Sequence, residues 1–519
     1  MVQDVYLVEV DGFDVDDAAV ITHRWADGEG FDPLDDTIPA YENRVIDPGN
    51  FEQFLYRRGT TIGKSSSGAG DILINNNDGG IDDIVDRGFD GRAVTVRRGA
   101  STLDNPSDFT TVFTGTIEQV EFQEDEIRFK LKNRQGEVAG LSIVSETERF
   151  TGVESPSTHV NGDENIKGKP FPWLLGNGGG ENFSPPLVNN SLQTYQISYR
   201  EINSITTVFS EGATVTPGTA HATLALLQAA TVTGGEFDSY LGSGSDGAYF
   251  RIGGAIGGAI TCKAVHGAAA SNRTMAQICE DVMVRAGDNF DATSITDLDT
   301  ANSDECGIWL GTEENKVGNI LDRILQSDNG FWFDSIAGIF ILGRLEAVSG
   351  SADLTLEEAD LIGAEKITFL DFNDQGRGIP PSQIIYSYNR NYTIQSEGDL
   401  AGVALGRTEF VKKRWRTVQS DAAAAVLTKH LLAAPFEVEG LFPATADAQT
   451  AADRFKTLRG VTRDLVMVVV DEPETQGLNL NDIVTINFSR YSDSGSEDYR
   501  VLGKINEFST NKVTLFLWK

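Results

Sequence analysis

The sequence predicts a mainly β protein of several domains, with α+β modules set among the strands. Three observations carry this. Fifty-four glycines against fifteen prolines imply many turns. Short β-branched and aromatic runs alternate with Gly, Asp and Asn clusters along much of the chain. At 519 residues and 40% hydrophobic content the chain can bury several cores. The run Asn75 to Gly99 shows the pattern compactly: a turn at Asn75-Asn76-Asn77-Asp78-Gly79-Gly80, a short amphipathic turn of helix at Ile81–Asp86, a tight turn at Gly88-Phe89-Asp90-Gly91-Arg92, and a strand at Val94–Arg98.

Residues 1–140 read as an N-terminal β domain. Tyr6–Val10, Val94–Arg98, Thr111–Ile117, Val120–Phe122 and Ile127–Leu131 are its strands. Ile127, Phe129 and Leu131 alternate with Arg128, Lys130 and Lys132, the pattern of a half-buried strand. Gln123-Glu124-Asp125-Glu126 is the turn before it. Residues 141–265 read as a loop-rich β insertion, with strands between Tyr195 and Val208 and a short helix within Ala220–Ala229.

Residues 266–350 read as a small α+β module. Met275, Ile278, Cys279, Val282 and Met283 recur at helical spacing and Gly287 stops the run. Val317, Ile320, Leu321, Ile324 and Leu325 mark a second helix from Lys316 to Gln326. Gly330–Asp334 and Gly338–Leu342 form a hairpin around Ser335-Ile336-Ala337. Residues 351–519 read as a C-terminal β domain with helices at Asp421–Leu432 and Thr445–Leu458. Its strands are Ile384–Tyr392, Leu465–Val470, Asp482–Phe488, Tyr499–Phe508 and Lys512–Leu517. The two ends of the chain thus finish in similar small β units.

The formal charge is −35, from 77 acidic and 42 basic residues. Duplex binding requires Lys and Arg to displace counterions, so tight nucleic-acid binding is not expected. The acidity fits either solubility in salt or a surface that repels phosphate. Cys262, Cys279 and Cys306 are widely spaced and form no CxxC pair, so they read as buried small hydrophobes. The first ten residues alternate like a strand and predict no signal peptide. No apolar run approaches the roughly 20 residues of a membrane span. The expected site of synthesis is the cytoplasm.

No catalytic constellation is legible. Gly59-Thr60-Thr61-Ile62-Gly63-Lys64-Ser65 resembles a phosphate-binding loop but has three residues between its glycines where that loop needs four. Laid on an EF-hand, Asn76-Asn77-Asp78-Gly79 puts Ile74 and Val85 at ligand positions. An irregular cation site among Asp78, Asp82 and Asp83 competes there with a turn capped by Asx side chains. The five histidines are scattered, with no metal-ligand spacing. Acidic pairs such as Asp16-Asp17 and Glu357-Glu358 are expected by chance among so many carboxylates. The sequence predicts no cofactor, no metal and no enzymatic activity.

Three groups of residues carry a resemblance to a known family. The first runs from Gly68-Ala69-Gly70-Asp71-Ile72-Leu73-Ile74-Asn75-Asn76-Asn77-Asp78-Gly79 through Gly88–Arg92 and Arg97-Arg98-Gly99 to Phe113-Thr114-Gly115-Thr116-Ile117. The second is Gly168-Lys169-Pro170 leading into Leu174-Leu175-Gly176. The third is the closing order of an Ala-rich helix with Ala452-Asp453-Arg454, the entry Leu480-Asn481-Asp482-Ile483-Val484, and two last strands. Together they resemble the tail tip or baseplate hub proteins of long-tailed, siphovirus-type phages.

The resemblance implies a homotrimeric ring at the end of the tail tube, in the virion. Two small tube-type β-barrels per subunit would continue a hexameric tube, and the two terminal β units are their candidates. It implies a distal tail protein and tail fibre or spike proteins as partners, with DNA passing through unbound. Many such hubs carry a fused cell-wall hydrolase, and no catalytic set stands in this chain. Trp173, Phe331, Trp332 and Trp415 are candidates for apolar ring contacts. The alternatives are a receptor-binding tail adhesin recognising a host surface glycan and a β-rich cell-wall hydrolase.

Overall fold

The computed structural model describes residues 4–152, 160–178, 182–244, 246–254, 258–335, 338–475, 477–490 and 495–519. Strands dominate, as expected. The N-terminal sheet has the order Glu42–Asn43, Ala19–Ala26, Asp4–Asp14, Ala93–Ala100, Thr110–Phe122, Glu126–Asn133, Asp71–Asn75 and Val45–Asp47. Its first and last members are one stretch of chain joined at Arg44. The Arg44 N–H donates to the Ala26 carbonyl (3.1 Å), and its own carbonyl accepts from Asn75 N–H (2.7 Å). One segment therefore lies on both edges and draws the sheet into a nearly closed barrel, which leaves few unpaired backbone groups.

The predicted alternation at Ile127, Phe129 and Leu131 holds: all three face the barrel interior. The turn before them closes with a Gln123 N–H bond to the Glu126 carbonyl. The two strands expected at 111–117 and 120–122 are a single strand. Its register shifts opposite Lys130 and Leu131, and that bulge absorbs the break in the pattern.

The C-terminal sheet has the order Leu354–Glu357, Ile483–Asn487, Glu497–Glu507, Lys512–Trp518, Leu465–Asp471 and Thr368–Phe369. It is drawn round by a related device. Leu354–Glu357 runs parallel to Ile483–Asn487 on one edge. Leu361 then bridges Val470, and Thr368–Phe369 pairs antiparallel with Val466 and Met467 on the other edge. In the first barrel too, the closing segment is parallel to one neighbour, at Trp25 and Ala26, and antiparallel to the other, at Leu73 and Ile74.

The first barrel's chain lends two strands to the second. Between Val45–Asp47 and Asp71–Asn75 the chain leaves the first barrel as a hairpin. Its Asn50–Phe54 strand pairs antiparallel with the far half of Glu497–Glu507, and Ser66–Ala69 pairs with Asn50–Phe54 in turn. Gly503 permits this approach, because a Cβ there would run into the Phe54 ring.

Between residues 182 and 265 the insertion holds more regular structure than its composition suggests. Its seven strands follow the order Leu187–Asn189, Thr194–Ser198, Ala248–Ile252, Glu236–Tyr240, Ala213–Ala220, Ser204–Ser210 and Ile260–Val265. Phe183, Ile197, Val208, Phe250 and Cys262 fill its core. All three cysteines are buried and free.

A helical body occupies the centre of the chain. Met275–Arg285 and Val317–Leu325 form as the periodicity predicts, and their apolar faces meet in one core. A third helix, Ala292–Ala301, was not evident from spacing because it buries only Ser294 and Leu298. Its start is set by Asp291, whose carboxylate accepts from Ser294 N–H (2.9 Å). The same core takes Ile384, Tyr386, Phe436, Val438 and the Ala-rich face of helix Thr445–Arg459. The hairpin Gly330–Asp334 and Phe340–Arg344 stands between two cores; Ile336 and Ala337 at its tip lie outside the described residues. Trp332 faces the helical body, while Phe331 and Phe333 face the C-terminal barrel, as strand alternation requires.

Candidate assembly surfaces and a basic cleft

Three of the four predicted contact residues lie inside the chain. Trp173 is buried beneath the guanidinium groups of Arg200 (5.4 Å) and Arg285 (5.7 Å). Trp332 is buried, and its indole N–H donates to the Asp322 carboxylate (3.0 Å). Phe331 packs edge-on against Tyr56. These side chains are core within one subunit. Trp415 alone is half-buried and reaches a surface cleft.

The acidic turn at Asn75–Gly80 is tied up internally. Asp78 pairs with Arg44 (2.8 Å) and accepts from Gly80 N–H (3.0 Å). Asp83 pairs with Arg87 (3.2 Å), and Asp82 accepts from the Asn76 amide (2.7 Å). The three carboxylates thus face different partners, and no cluster of three potential metal ligands occurs among the described residues. The Gly59–Ser65 loop is the tip of the shared hairpin. Lys64 donates to the Asn319 side chain (2.8 Å) and Ser65 Oγ accepts from Trp332 N–H (3.1 Å).

The barrels are clamped together near the chain termini. Arg98 pairs with Asp4 (2.6 Å) on its own sheet and with Glu472 of the second barrel. Tyr6 Oη donates to Asn511 Oδ1 (2.7 Å), and its ring packs on Phe508, which belongs to the first barrel's core. Burial pushes the Tyr6 hydroxyl up to about 12. A second clamp joins the hairpin, the first barrel and the helical body at Asp334. Gln53 donates to its carbonyl, Gln135 N–H and the Asn133 amide approach its carboxylate (3.4 Å each), and Gln135 also donates to the Trp332 carbonyl (2.9 Å). Burial raises the Asp334 carboxyl to about 6.

An arm runs between the strands Ile384–Tyr388 and Phe436–Glu439. Seven of the nineteen exposed large hydrophobic side chains among the described residues lie on it, so apolar surface is concentrated there. Val403 and Leu431 are each 89% exposed and Leu432 is 80% exposed. The Ala-rich helix expected over Asp421–Leu432 is only Ala424–Lys429, because it buries no side chain against the body.

At the base of the arm, Arg323, Gln326, Arg390, Arg414, Trp415, Glu439 and Leu441 line a cleft of about 220 Å³. A second hollow of about 260 Å³ adjoins it and shares Arg323 and Arg390. Arg390 lies over the rings of Tyr392 (4.6 Å) and Trp415 (5.7 Å). The sequence signal for this cleft is Lys412-Lys413-Arg414-Trp415-Arg416, four basic residues in five within an acidic chain. Reading Trp415 as an isolated apolar contact missed it.

No family model matches the chain, and no curated protein matches it in sequence. Solved structures similar to it include a tail protein of prophage MuSo2 from Shewanella oneidensis (10% identity, 99% of this chain and 98% of that one, TM-score 0.40). A prophage tail protein from Listeria monocytogenes is similar at 8% identity over 99% and 94% of the two chains, TM-score 0.38. A chain of the virion of a native gene transfer agent particle is similar at 13% identity over 72% and 87%, TM-score 0.43. Likeness at this level assigns no function.

Proposed function

We propose that the chain is a non-enzymatic structural protein of a phage tail tip or baseplate. It acts as a hub that forms a homotrimeric ring, continues the tail tube, anchors fibre or spike proteins and passes DNA during ejection. The observation that carries this reading is the pair of barrels, each with a closing segment parallel to one neighbour and antiparallel to the other, joined by a shared hairpin. Two related barrels in each of three subunits supply six wall segments, which suits a sixfold tube. The sequence resemblance to hub proteins supports the same reading.

The physics of the surface agrees. At −35, each subunit repels phosphate, so DNA would slide past and not adhere. The arm's exposed leucines, with Val403, offer apolar area for a neighbour in the tail.

The test is the oligomeric state of the purified protein, by light scattering with negative-stain imaging. The expected result is a trimer with a central opening. A monomer that stays monomeric at high concentration, and also when co-expressed with the adjacent distal tail protein, overturns the ring.

A further inference from the structure

We propose that the cleft at the base of the arm binds a small oxyanion, a phosphate- or carboxylate-bearing solute no larger than a monosaccharide. Its three guanidinium groups come from separate elements. Arg323 lies in the last turn of helix Val317–Leu325, Arg390 follows the strand Ile384–Tyr388, and Arg414 stands on the arm. None of the three makes an ion pair among the described residues.

Several arginines elsewhere are held by carboxylates, Arg344 (2.6 Å) and Arg454 (2.9 Å) by Asp328, Arg459 (3.3 Å) by Asp374 and Arg285 by Glu148. Others, such as Arg251 and Arg463, are held by backbone carbonyls, so what sets the cleft apart is three guanidinium groups without an ion pair gathered in one hollow. Carboxylates outnumber basic residues 77 to 42, so three unpaired guanidinium groups in one place are not explained by a shortage of partners. Glu439 and Glu313 line the two hollows without pairing to them, which leaves the arginines in excess.

Arg390 is the centre of the site. The rings of Tyr392 and Trp415 hold its guanidinium, and its Nε is buried with no hydrogen-bond partner. A guanidinium fixed by rings keeps its N–H edges free for a two-pronged contact with a carboxylate or phosphate. Tyr392 is itself fixed, because its hydroxyl accepts from Trp309 N–H (3.1 Å). Gln326, Thr312 and Asn315 add neutral polar groups along the walls. The hollows suit a small solute. A polyanion would meet the charge of the whole subunit, whereas a small anion inside the cleft feels mainly charges within the roughly 8 Å screening length. The site lies within one chain and does not depend on ring formation.

The experiment is titration of the full-length protein with inorganic phosphate and, separately, glucuronate. Calorimetry and the fluorescence of the cleft's tryptophans give the readout. Saturable binding is expected, weakened roughly tenfold or more by Arg390→Gln and by Arg414→Gln. The charge-matched Lys429→Gln, on the exposed arm helix, should leave it unchanged. If Arg390→Gln does not fold, Arg414→Gln on the exposed side carries the test. Tighter binding of glucuronate supports a carboxylate-bearing ligand, and tighter or equal binding of phosphate supports a phosphate-bearing one. No saturable binding of either at millimolar concentration, or binding unchanged by Arg414→Gln, overturns the proposal.

Discussion

The N-terminal barrel's core is the richer in rings, seven of its twenty buried residues against five of twenty-three in the C-terminal barrel's. Trp25, Phe89, Phe113 and Phe129 meet there, with Phe129 5.7 Å from Trp25 and 5.3 Å from Phe89. The C-terminal barrel fills its interior mainly with aliphatic side chains, Val466, Val468, Val470, Val484, Val501, Val513, Leu515 and Leu517 among them. The sources of these cores also differ. All but one residue of the first comes from positions 6–131, the exception being Phe508. The second borrows Leu55 and Tyr56 from the shared hairpin, whose Phe51 stays with the first, and Phe331 and Phe333 from the hairpin Gly330–Arg344, with Leu345 just after it. The first barrel is close to self-contained, while the second is completed by elements far away in sequence.

The strongest way to break this comparison is to hollow out each core. Phe129→Ala is expected to cost about 3–5 kcal/mol and Leu515→Ala about 2–5 kcal/mol. Hydrogen exchange monitored by mass spectrometry separates them. Phe129→Ala should loosen residues 4–133 first, whereas Leu515→Ala should loosen the second barrel together with residues 50–56 and 330–345. Loosening confined to 465–518 would show that the borrowed elements are not part of that core.

Gly503→Val tests the shared strand directly. The new side chain collides with Phe54, and overpacking of this kind costs about 1–3 kcal/mol. The expected readout is faster exchange across Asn50–Phe54 with Ile127–Leu131 still protected. Equal loosening of both would mean that the hairpin is integral to the first barrel.

The clamp at Asp334 has a pH signature. Its carboxyl is raised to about 6 in the folded protein against an ordinary value of 3.8. Between those values the folded state holds the proton and the unfolded state does not. Its contribution is therefore complete below about 4, falls as pH rises to about 6, and is flat above. The slope is about 1.4 kcal/mol per pH unit for one such group. Asp334→Asn should remove that slope from urea melts run between pH 4 and 6. An unchanged difference between variant and parent across that range would show that the carboxyl is not held protonated. The smallest effect is expected from Tyr6→Phe, which deletes the hydroxyl bond to Asn511. A loss of about 0.5–1.5 kcal/mol in thermal unfolding is the expected outcome.

The comparison also explains what the sequence made legible. Strands such as Ile127–Leu131 and helices such as Val317–Leu325 bury one face against one core, so their periodicity is clean. Within the insertion the stretch Tyr195–Val208 reads as strands, whereas Ala248–Ile252 is buried on both faces and offers no alternation to read. The shared hairpin was illegible for another reason. Asn50–Phe54 and Ser66–Ala69 are short and polar, and only a partner in the other barrel makes them strands. Trp415 is legible as an apolar residue, but the arginines that give its cleft a chemistry come from three parts of the chain.

The hairpin has a consequence for how the molecule is made. Asn50–Phe54 leaves the ribosome early, and the strand it pairs with follows roughly 450 residues later. At about 5–20 residues per second, that interval is on the order of 20–90 s. During it, a strand built to be covered presents open backbone groups in a cell crowded with other nascent chains. A nascent chain of this protein is therefore most vulnerable to mispairing near its beginning, and a copy truncated before Glu497–Glu507 would carry that open edge for its whole lifetime.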